Sequence, residues 1–554
     1  MTNRFDALGL PEAEDPFGAL PEAEAVELGV VVGGSLSQGL DVRLTGNGVV
    51  EDAKVGTFVT VHGTRHRYFG IITDLSLESA DGRLSSNIAH ADAAMAEVLS
   101  GTGAFAQARV TPMLMTSVGE EEPQPARSLP AHFAPVNRAT NEDVQMIFGE
   151  DDATHIYIGS PLDMEDTRVC LNLEELVKRS NGVFGKSGSG KSFLTRILLT
   201  AIAQRGLATH LIFDMHSEYG WQATSESGYA VKGLRQILQS GVSVFSLDPE
   251  SARRRGFTPD FDVKIGLDEI EPEDIAILAS TLGISDAGVN ACYTLHDRYG
   301  RRWISEFLGM DADAMAGLAA EGEHAGVLGA LRRKLRDLDR IGFMQADAPS
   351  GGGAVKQVLE HLVDGRHVVM EFGRYGDDQT AYVLVANLIT RRIHAEYRKR
   401  TEETLATGGA KQLHPLVITI EEAHRFLSGG IASQTIFGTI AREMRKYRVT
   451  LLVVDQRPSG IDEEVLSQLG TRITCQLDNE RDVDAVLRGA AGSRELKGVL
   501  SRLESQQQAL LFGHALRMPV VVRTRDYQDF ATEMAIPGFG RAPVGPGDKK
   551  DLFG

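Results

Sequence analysis

Eight consecutive residues, Gly185, Lys186, Ser187, Gly188, Ser189, Gly190, Lys191 and Ser192, fit the pattern G-x-x-x-x-G-K-[ST]. The chemistry open to such a run is phosphate binding. Its glycines let successive backbone N–H groups curl around phosphate oxygens, and the N-terminus of a following helix faces the same negative charge. Lys191 should reach the β- and γ-phosphates of ATP, and Ser192 should ligate Mg2+. The flanks agree with this. The apolar run GVF precedes the loop, and SFLTRILLTAIA, which starts with Ser192 and Phe193, follows with helical periodicity. A chance Gly/Ser loop would not carry a strand and a helix in register.

A second segment, LVITIEEAH, ends an apolar run in two carboxylates, Glu421 and Glu422. Phosphoryl transfer needs one acid to organise the Mg2+ shell and another to orient or deprotonate the attacking water. Order along the strand gives Glu421 the metal, shared with Ser192, and gives Glu422 the water. A Glu stands where an Asp is usual, so its reach to the metal is longer. His424 reads equally well as a polar cap for the helix that follows. Downstream, Asp455-Gln456-Arg457-Pro458-Ser459 follows the apolar run VTLLVV, which places Gln456 to sense a γ-phosphate. The preceding helical segment IFGTIAREMRKYR carries Arg442, Arg445, Lys446 and Arg448. One of these can serve a neighbouring subunit by stabilising transition-state charge; a charge-laced surface helix is the equal alternative.

These residues need a scaffold that presents strand ends side by side. From about residue 150 onward apolar strands alternate with helices, which implies a mostly parallel sheet covered on both faces. THLIFD, VSVFSLD, HVVMEF, LVITI and VTLLVVD are the candidate strands. Residues 265–345 interrupt this order with apolar positions at helical spacing only, an all-α insertion. It separates a first part of the α/β core, 146–264, from a second, 346–530. Before the core, residues 26–117 form short β-branched runs parted by Gly, Asn and Asp, as in a small barrel or sandwich. Residues 118–145 are rich in Pro and acid and read as a linker. Residues 1–25, acidic and with LPEAE twice, read as a disordered or docking tail, and 531–554 as a C-terminal tail rich in Gly and Pro.

At 554 residues the chain is long enough for two to four domains. Its formal net charge of −19 argues against a broad basic face coating nucleic acid. A ring with an acidic outside and a basic channel stays open. The basic clusters Arg253–Arg255, Arg332–Arg336 and Arg391–Arg400 have acidic neighbours and read as solvated helix faces. Every apolar stretch is broken by charge well short of about 18 residues, so no membrane span is expected. The N-terminus has no signal-peptide pattern. Cys170, Cys292 and Cys475 lie far apart without metal-ligand spacing, which argues against disulfides and zinc. A cytoplasmic protein is the expectation.

Taken in order, GKSGSGKS, FDMHSEYG, TIEEAHRF and IAREMRKYRVTLLVVDQRPSGIDEEVLSQLGTRI resemble the HerA family of hexameric DNA translocases, in the superfamily of FtsK. The resemblance spans roughly residues 26–530 and includes FGHALRMPVVVR, similar to the family's closing strand pair. It implies a RecA-like P-loop ATPase core in the α/β class, an N-terminal HAS-barrel and the all-α insertion. It also implies a homo-hexamer with double-stranded DNA in its central channel and a NurA-like nuclease as partner in DNA end processing. Carried over by motif, Lys191 and Ser192 bind ATP and Mg2+, Glu421 and Glu422 serve hydrolysis, and Gln456 is the sensor. Arg442 is the first choice for the trans arginine and Arg445 the second. Asp214, His216 and Glu218 match a D-x-H-x-E-Y segment near the site. Two departures stand out. Met444 replaces a Gly of the family's GRK, and the repeated LPEAE tail lies outside the pattern, which leaves the partner open.

Three other readings compete. The same motor can assemble or activate an effector protein in an anti-phage complex, which the neighbouring gene would reveal. ATP binding can serve only to hold a scaffold together, against which Glu421 and Glu422 count. A DEAH-type helicase needs a second RecA-like domain, and the chain has room for one only.

Overall fold

The computed structural model of the chain describes residues 26–45, 49–79, 104–117, 122–224, 230–320, 324–349, 353–406, 413–432, 435–490, 492–504 and 507–533. The tail 1–25 and nearly all of 531–554 lie outside the described residues.

The N-terminal strands are β1 (Glu27–Ser35), β2 (Gly39–Leu44), β3 (Phe58–His62), β4 (His66–Ser79), β5 (Ala104–Ser117), β6 (Gln124–Pro125) and β7 (Pro135–Arg138). They pair in the order β2-β1-β7-β3-β4-β5, and β2 pairs with β5 to close the sheet into a six-stranded barrel, with β6 added beside β5. Alternation along the strands divides the apolar residues. Val42, Val59, Tyr68, Ile72 and Val110 fill the barrel, whereas Phe58, Phe69, Ile71 and Leu114 face out and join the core of the α/β half.

Residues 118–145 are not simply a linker. They supply β6, β7 and the start of the helix Asn141–Phe148, and β7 sits between β1 and β3 in the barrel wall. Proline and polar residues hid this, because a strand needs backbone hydrogen bonds and one inward side chain, here Val136, more than an apolar composition.

The second sheet begins with β8 (His155–Pro161), β9 (Val169–Asn172), β10 (Asn181–Phe184) and β11 (Thr209–Asp214). A two-strand ribbon follows, β12 (Ala223–Thr224) and β13 (Ala230–Val231), then β14 (Val242–Ser246) and β15 (Phe261–Asp262). The insertion opens and closes with a parallel pair, β16 (Ile265–Gly266) and β17 (Met344–Gln345), so it is helical between two short strands rather than throughout. After it come β18 (His367–Glu371), β19 (Leu416–Glu421), β20 (Val449–Asp455), β21 (Thr471–Cys475), β22 (Gln508–Gly513) and β23 (Val520–Thr524).

Twelve strands join in the order β15-β14-β18-β11-β19-β20-β10-β21-β22-β23-β8-β9. From β15 to β21 every pairing is parallel, and every residue of β10, β11, β14, β19, β20 and β21 is buried. Helices on both faces cause this, as the uninterrupted apolar runs require. From β21 to β9 the pairings turn antiparallel. The parallel strands put the C-terminal ends of β10, β11, β19 and β20 along one edge, where ligands bind in open α/β sheets.

The insertion packs as helices Pro272–Leu282, Asp286–Tyr299, Trp303–Gly309, Ala312–Ala320 and Ala325–Asp339 around Cys292, Trp303, Phe307, Leu331 and Leu335. It is fastened to the long helix Gln379–Ala406 through Asp274, a buried acid 2.7 Å from Arg391 Nη2 and 3.2 Å from Asn387 Nδ2.

Candidate active site

The loop after β10 turns on three glycines with positive φ, Gly185, Gly188 and Gly190. It is pinned at its root: the Gly185 N–H donates to the Asp455 carbonyl at 3.3 Å and the Lys186 N–H to the Gln476 carbonyl at 2.9 Å. Space is tight there. A Cβ on Gly185 would lie 2.6 Å from Ser189 Oγ and 2.8 Å from Cys475 Cβ. The helix Lys191–Gln204 then starts from Gly190 without a side-chain cap, so its first N–H groups point toward the cleft side of the loop. Lys191 Nζ donates to the Lys186 carbonyl at 2.7 Å. Burial lowers the Lys191 pKa, while Cys475, Glu422, Asp455 and Glu421 act the other way.

Across a cleft of about 580 Å³ stand the ends of β19 and β20, and Ser187 to Phe193, Glu421, Glu422 and Gln456 all line it. Glu421 is buried at the last position of β19, and its Oε2 has no hydrogen-bond partner among the described residues. Burial first, then Asp214 and Glu218, pushes its pKa well above the usual carboxylate range. A hard divalent cation supplies what this cluster of acids lacks, so Glu421 with Ser192 fits Mg2+. Glu422 follows with φ 46°, in the left-handed region, and Gln456 Nε2 donates to its Oε1 at 2.7 Å.

The D-x-H-x-E-Y segment adds a third wall. Asp214 ends β11 fully buried, and its carboxylate accepts the N–H groups of Glu218, Tyr219 and Gly220 at 2.7, 2.9 and 3.0 Å. Burial nevertheless raises its pKa to about 6. Asp214 therefore shapes the loop, and His216 and Glu218 are the members that line the cleft. Arg196, on the helix after the phosphate loop, donates to the Glu218 carbonyl and lies about 6 Å from the rings of Phe193, Tyr219 and Tyr527.

Other residues that form the cleft carry no sequence signal of their own. Gln507 and the turn Thr524–Gln528 complete it, with Tyr527 tilted against Phe193 at a ring separation of 6.1 Å. They flank the antiparallel strands β22 and β23, more than 300 residues from the phosphate loop, and no motif announces them.

Arg442 is not among the residues lining this cleft. It closes the helix Ile436–Glu443 and pairs with Glu464 at 3.4 Å. Arg445 stands in the single turn Met444–Tyr447, and its side chain lies outside the described residues. The clusters at 253–255 and 391–400 are largely ion-paired within the chain, Arg253 with Asp262, Arg255 with Glu371, Arg391 with Asp274 and Arg400 with Glu396, whereas in the third Arg332 donates to the carbonyls of Leu308 and Met310. Cys170, Cys292 and Cys475 are free and buried.

Residues 156–393 match the family model "Helicase HerA, central domain", and residues 28–100 match "HAS barrel domain". The two matches lie in the same order and on the same two folded parts as the phosphate loop and the barrel. The chain carries a HerA helicase central domain behind a HAS barrel. A relative named DNA double-strand break repair helicase HerA, from Pyrococcus furiosus, is 25% identical over 429 residues, 74% of this chain and 76% of that one. Another of that name, from Sulfurisphaera tokodaii, is 24% identical over 524 residues, 90% of this chain and 93% of its own. Among solved structures, the bacterial conjugative coupling protein TrwB is 12% identical, with a TM-score of 0.45 over 74% of this chain and 94% of that one. As in the HerA family, the enzyme is a P-loop ATPase. Among its described residues no helix is long and apolar enough to cross a membrane.

Proposed function

We propose that this chain binds ATP with Mg2+ and spends its hydrolysis on moving double-stranded DNA through the channel of a homo-hexameric ring, in DNA end processing with a NurA-like nuclease. One observation carries the hydrolytic part: the phosphate loop and the carboxylates Glu421 and Glu422 share the walls of a single cleft. The HerA relatives named as double-strand break repair helicases support the DNA part.

In this reading the N–H groups of Gly185 to Ser192 hold the phosphates and Lys191 leaves the Lys186 carbonyl to meet the terminal phosphate. Ser192 and Glu421 would hold Mg2+, which would supply neutralisation of the phosphate charge during transfer of the γ-phosphoryl. Glu422 takes a proton from the attacking water while the water oxygen bonds the γ-phosphorus and the bond to the bridging oxygen of ADP breaks. Gln456, already bonded to Glu422, senses whether the γ-phosphate is there. The cations lining the cleft beside Lys191 are Arg196 and Arg525, both buried side chains rather than free fingers. Arg442 lies away from its own cleft, which supports its use, or that of Arg445, by the cleft of the next subunit in a ring.

The test is ATP hydrolysis by the purified protein with and without linear duplex DNA, against Glu422→Gln at matched oligomeric state. DNA-stimulated turnover that disappears in the variant is the expected result. Turnover indifferent to DNA would overturn the translocase reading in favour of effector assembly. No turnover at all, even with a partner added, would leave a scaffold.

A further inference from the structure

His424 lies just past the two carboxylates, and its surroundings exceed what a helix cap needs. The helix it opens, His424–Leu427, is a single turn. Its backbone N–H donates to Asp455 Oδ2 at 2.7 Å, and its ring Nδ1 lies 3.1 Å from Asp455 Oδ2 and 3.2 Å from Oδ1. Facing a carboxylate, Nδ1 is the ring nitrogen placed to donate to Asp455. Asp455 is itself fixed, with its side chain wholly buried and its Oδ1 accepting the Arg457 N–H at 2.7 Å.

The same Nδ1 stands 3.6 Å from Glu422 Oε2. With Gln456 on Oε1, the Glu422 carboxylate has one polar neighbour from Asp455's own turn and one braced by Asp455. Its backbone is left-handed, a conformation a glutamate adopts only where its surroundings hold it there. His424 does not line the nucleotide cleft, whereas Glu422, Asp455 and Gln456 do. It therefore acts on the site through Glu422 and not on the nucleotide.

We propose that His424, braced on Asp455, is the positioning residue that aims the Glu422 carboxylate at the attacking water, so that turnover depends on it and nucleotide binding does not. This rests on the assignment of Glu422 as the base. The reason for a braced imidazole is geometric. A base misplaced by a fraction of an ångström loses much of its advantage, and a ring locked by a buried acid moves less than a solvated side chain.

The experiment compares wild type with His424→Ala, His424→Asn and His424→Gln as full-length proteins. It measures kcat and KM for ATP with linear duplex DNA, and the Kd of a fluorescent ATP analogue with Mg2+. Asn places an amide N–H near the position of Nδ1, whereas Gln places it near Nε2. The expected result is a fall in kcat of at least about tenfold in His424→Ala and His424→Gln, with KM and Kd within about twofold of wild type. His424→Asn should recover most of kcat. Equal kcat in the Asn and Gln variants, or a wild-type kcat in the Ala variant, would overturn the proposal, as would a loss of nucleotide affinity parallel to the loss of kcat. If His424→Ala fails to fold, the Asn and Gln pair still decides. Glu422→Gln run alongside separates the two failures: full turnover there removes the base assignment itself, and this inference with it.

Discussion

Arg67 Nη2 and Asp143 Oδ1 stand 2.7 Å apart with their side chains 7% and 0% exposed, an ion pair sealed between the barrel and the α/β half. Arg67 belongs to β4, and Asp143 to the first turn of the helix Asn141–Phe148, where it also accepts the Thr140 N–H at 2.8 Å. The pair is a joint between two folded parts, and its energetics follow from burial. Removing one partner strands a charge out of water, which costs about 3–5 kcal/mol, while replacing both with apolar residues is often neutral or better.

Asp143→Ala should therefore lower the unfolding free energy by about 3–5 kcal/mol, and Arg67→Met with Asp143→Leu should regain most of that. Denaturant titration of the three proteins checks it. A double variant no more stable than Asp143→Ala would show that the joint depends on the Thr140 cap more than on the ion pair.

The root of the phosphate loop gives a second expectation. Gly185→Ala places a methyl group 2.6 Å from Ser189 Oγ and 2.8 Å from Cys475 Cβ, closer than real Cβ contacts allow. The loop must open to admit it, so affinity for a fluorescent ATP analogue should fall at least about tenfold, some 1.4 kcal/mol. Wild-type affinity in the variant would mean that the loop adapts and that its shape does not limit binding.

A third concerns the opposite edge of the sheet. His367, at the start of β18, accepts the His210 N–H on its Nδ1 at 3.2 Å. Burial, with His414 beyond, lowers its pKa from 6.5 to about 4. A histidine depressed in the folded state binds its proton more readily when unfolded. Its contribution to stability is thus complete above pH 6.5 and is lost as pH falls toward about 4. His367→Asn, which can still accept the His210 N–H but cannot titrate, should flatten the stability curve across that window, by up to ~1.4 kcal/mol per pH unit. Superimposable wild-type and variant slopes would remove His367 as a source of acid sensitivity.

Much of the site was legible because its chemistry is local. A phosphate loop needs glycines, a lysine and a hydroxyl within eight residues, and a strand end needs only neighbouring acids, so Gly185–Ser192 and Glu421–Glu422 stand out in the chain. The buried parallel strands were legible for a similar reason, since strands covered on both faces must be apolar throughout. Where composition and pairing diverge, reading from sequence fails. Pro135 and Asn137 look like linker residues, yet β7 joins β1 to β3 in the barrel wall because a ladder is made by backbone groups.

The sequence by itself determined the phosphate loop, the two carboxylates, the class of the core and the order of its parts. Each depends on residues close together in the chain, where spacing alone fixes the geometry. Only the tertiary structure decided what faces them. The strand order sets β20 between β10 and β19, and so delivers Asp455 to His424 and Gln456 to Glu422. The antiparallel end of the sheet folds Tyr527 back against Phe193. The buried Asp214 turns its loop so that His216 and Glu218 enter the cleft while the acid itself does not. Such neighbours are chosen by strand pairing and by which charges burial tolerates, and those are properties of the whole fold rather than of any one segment.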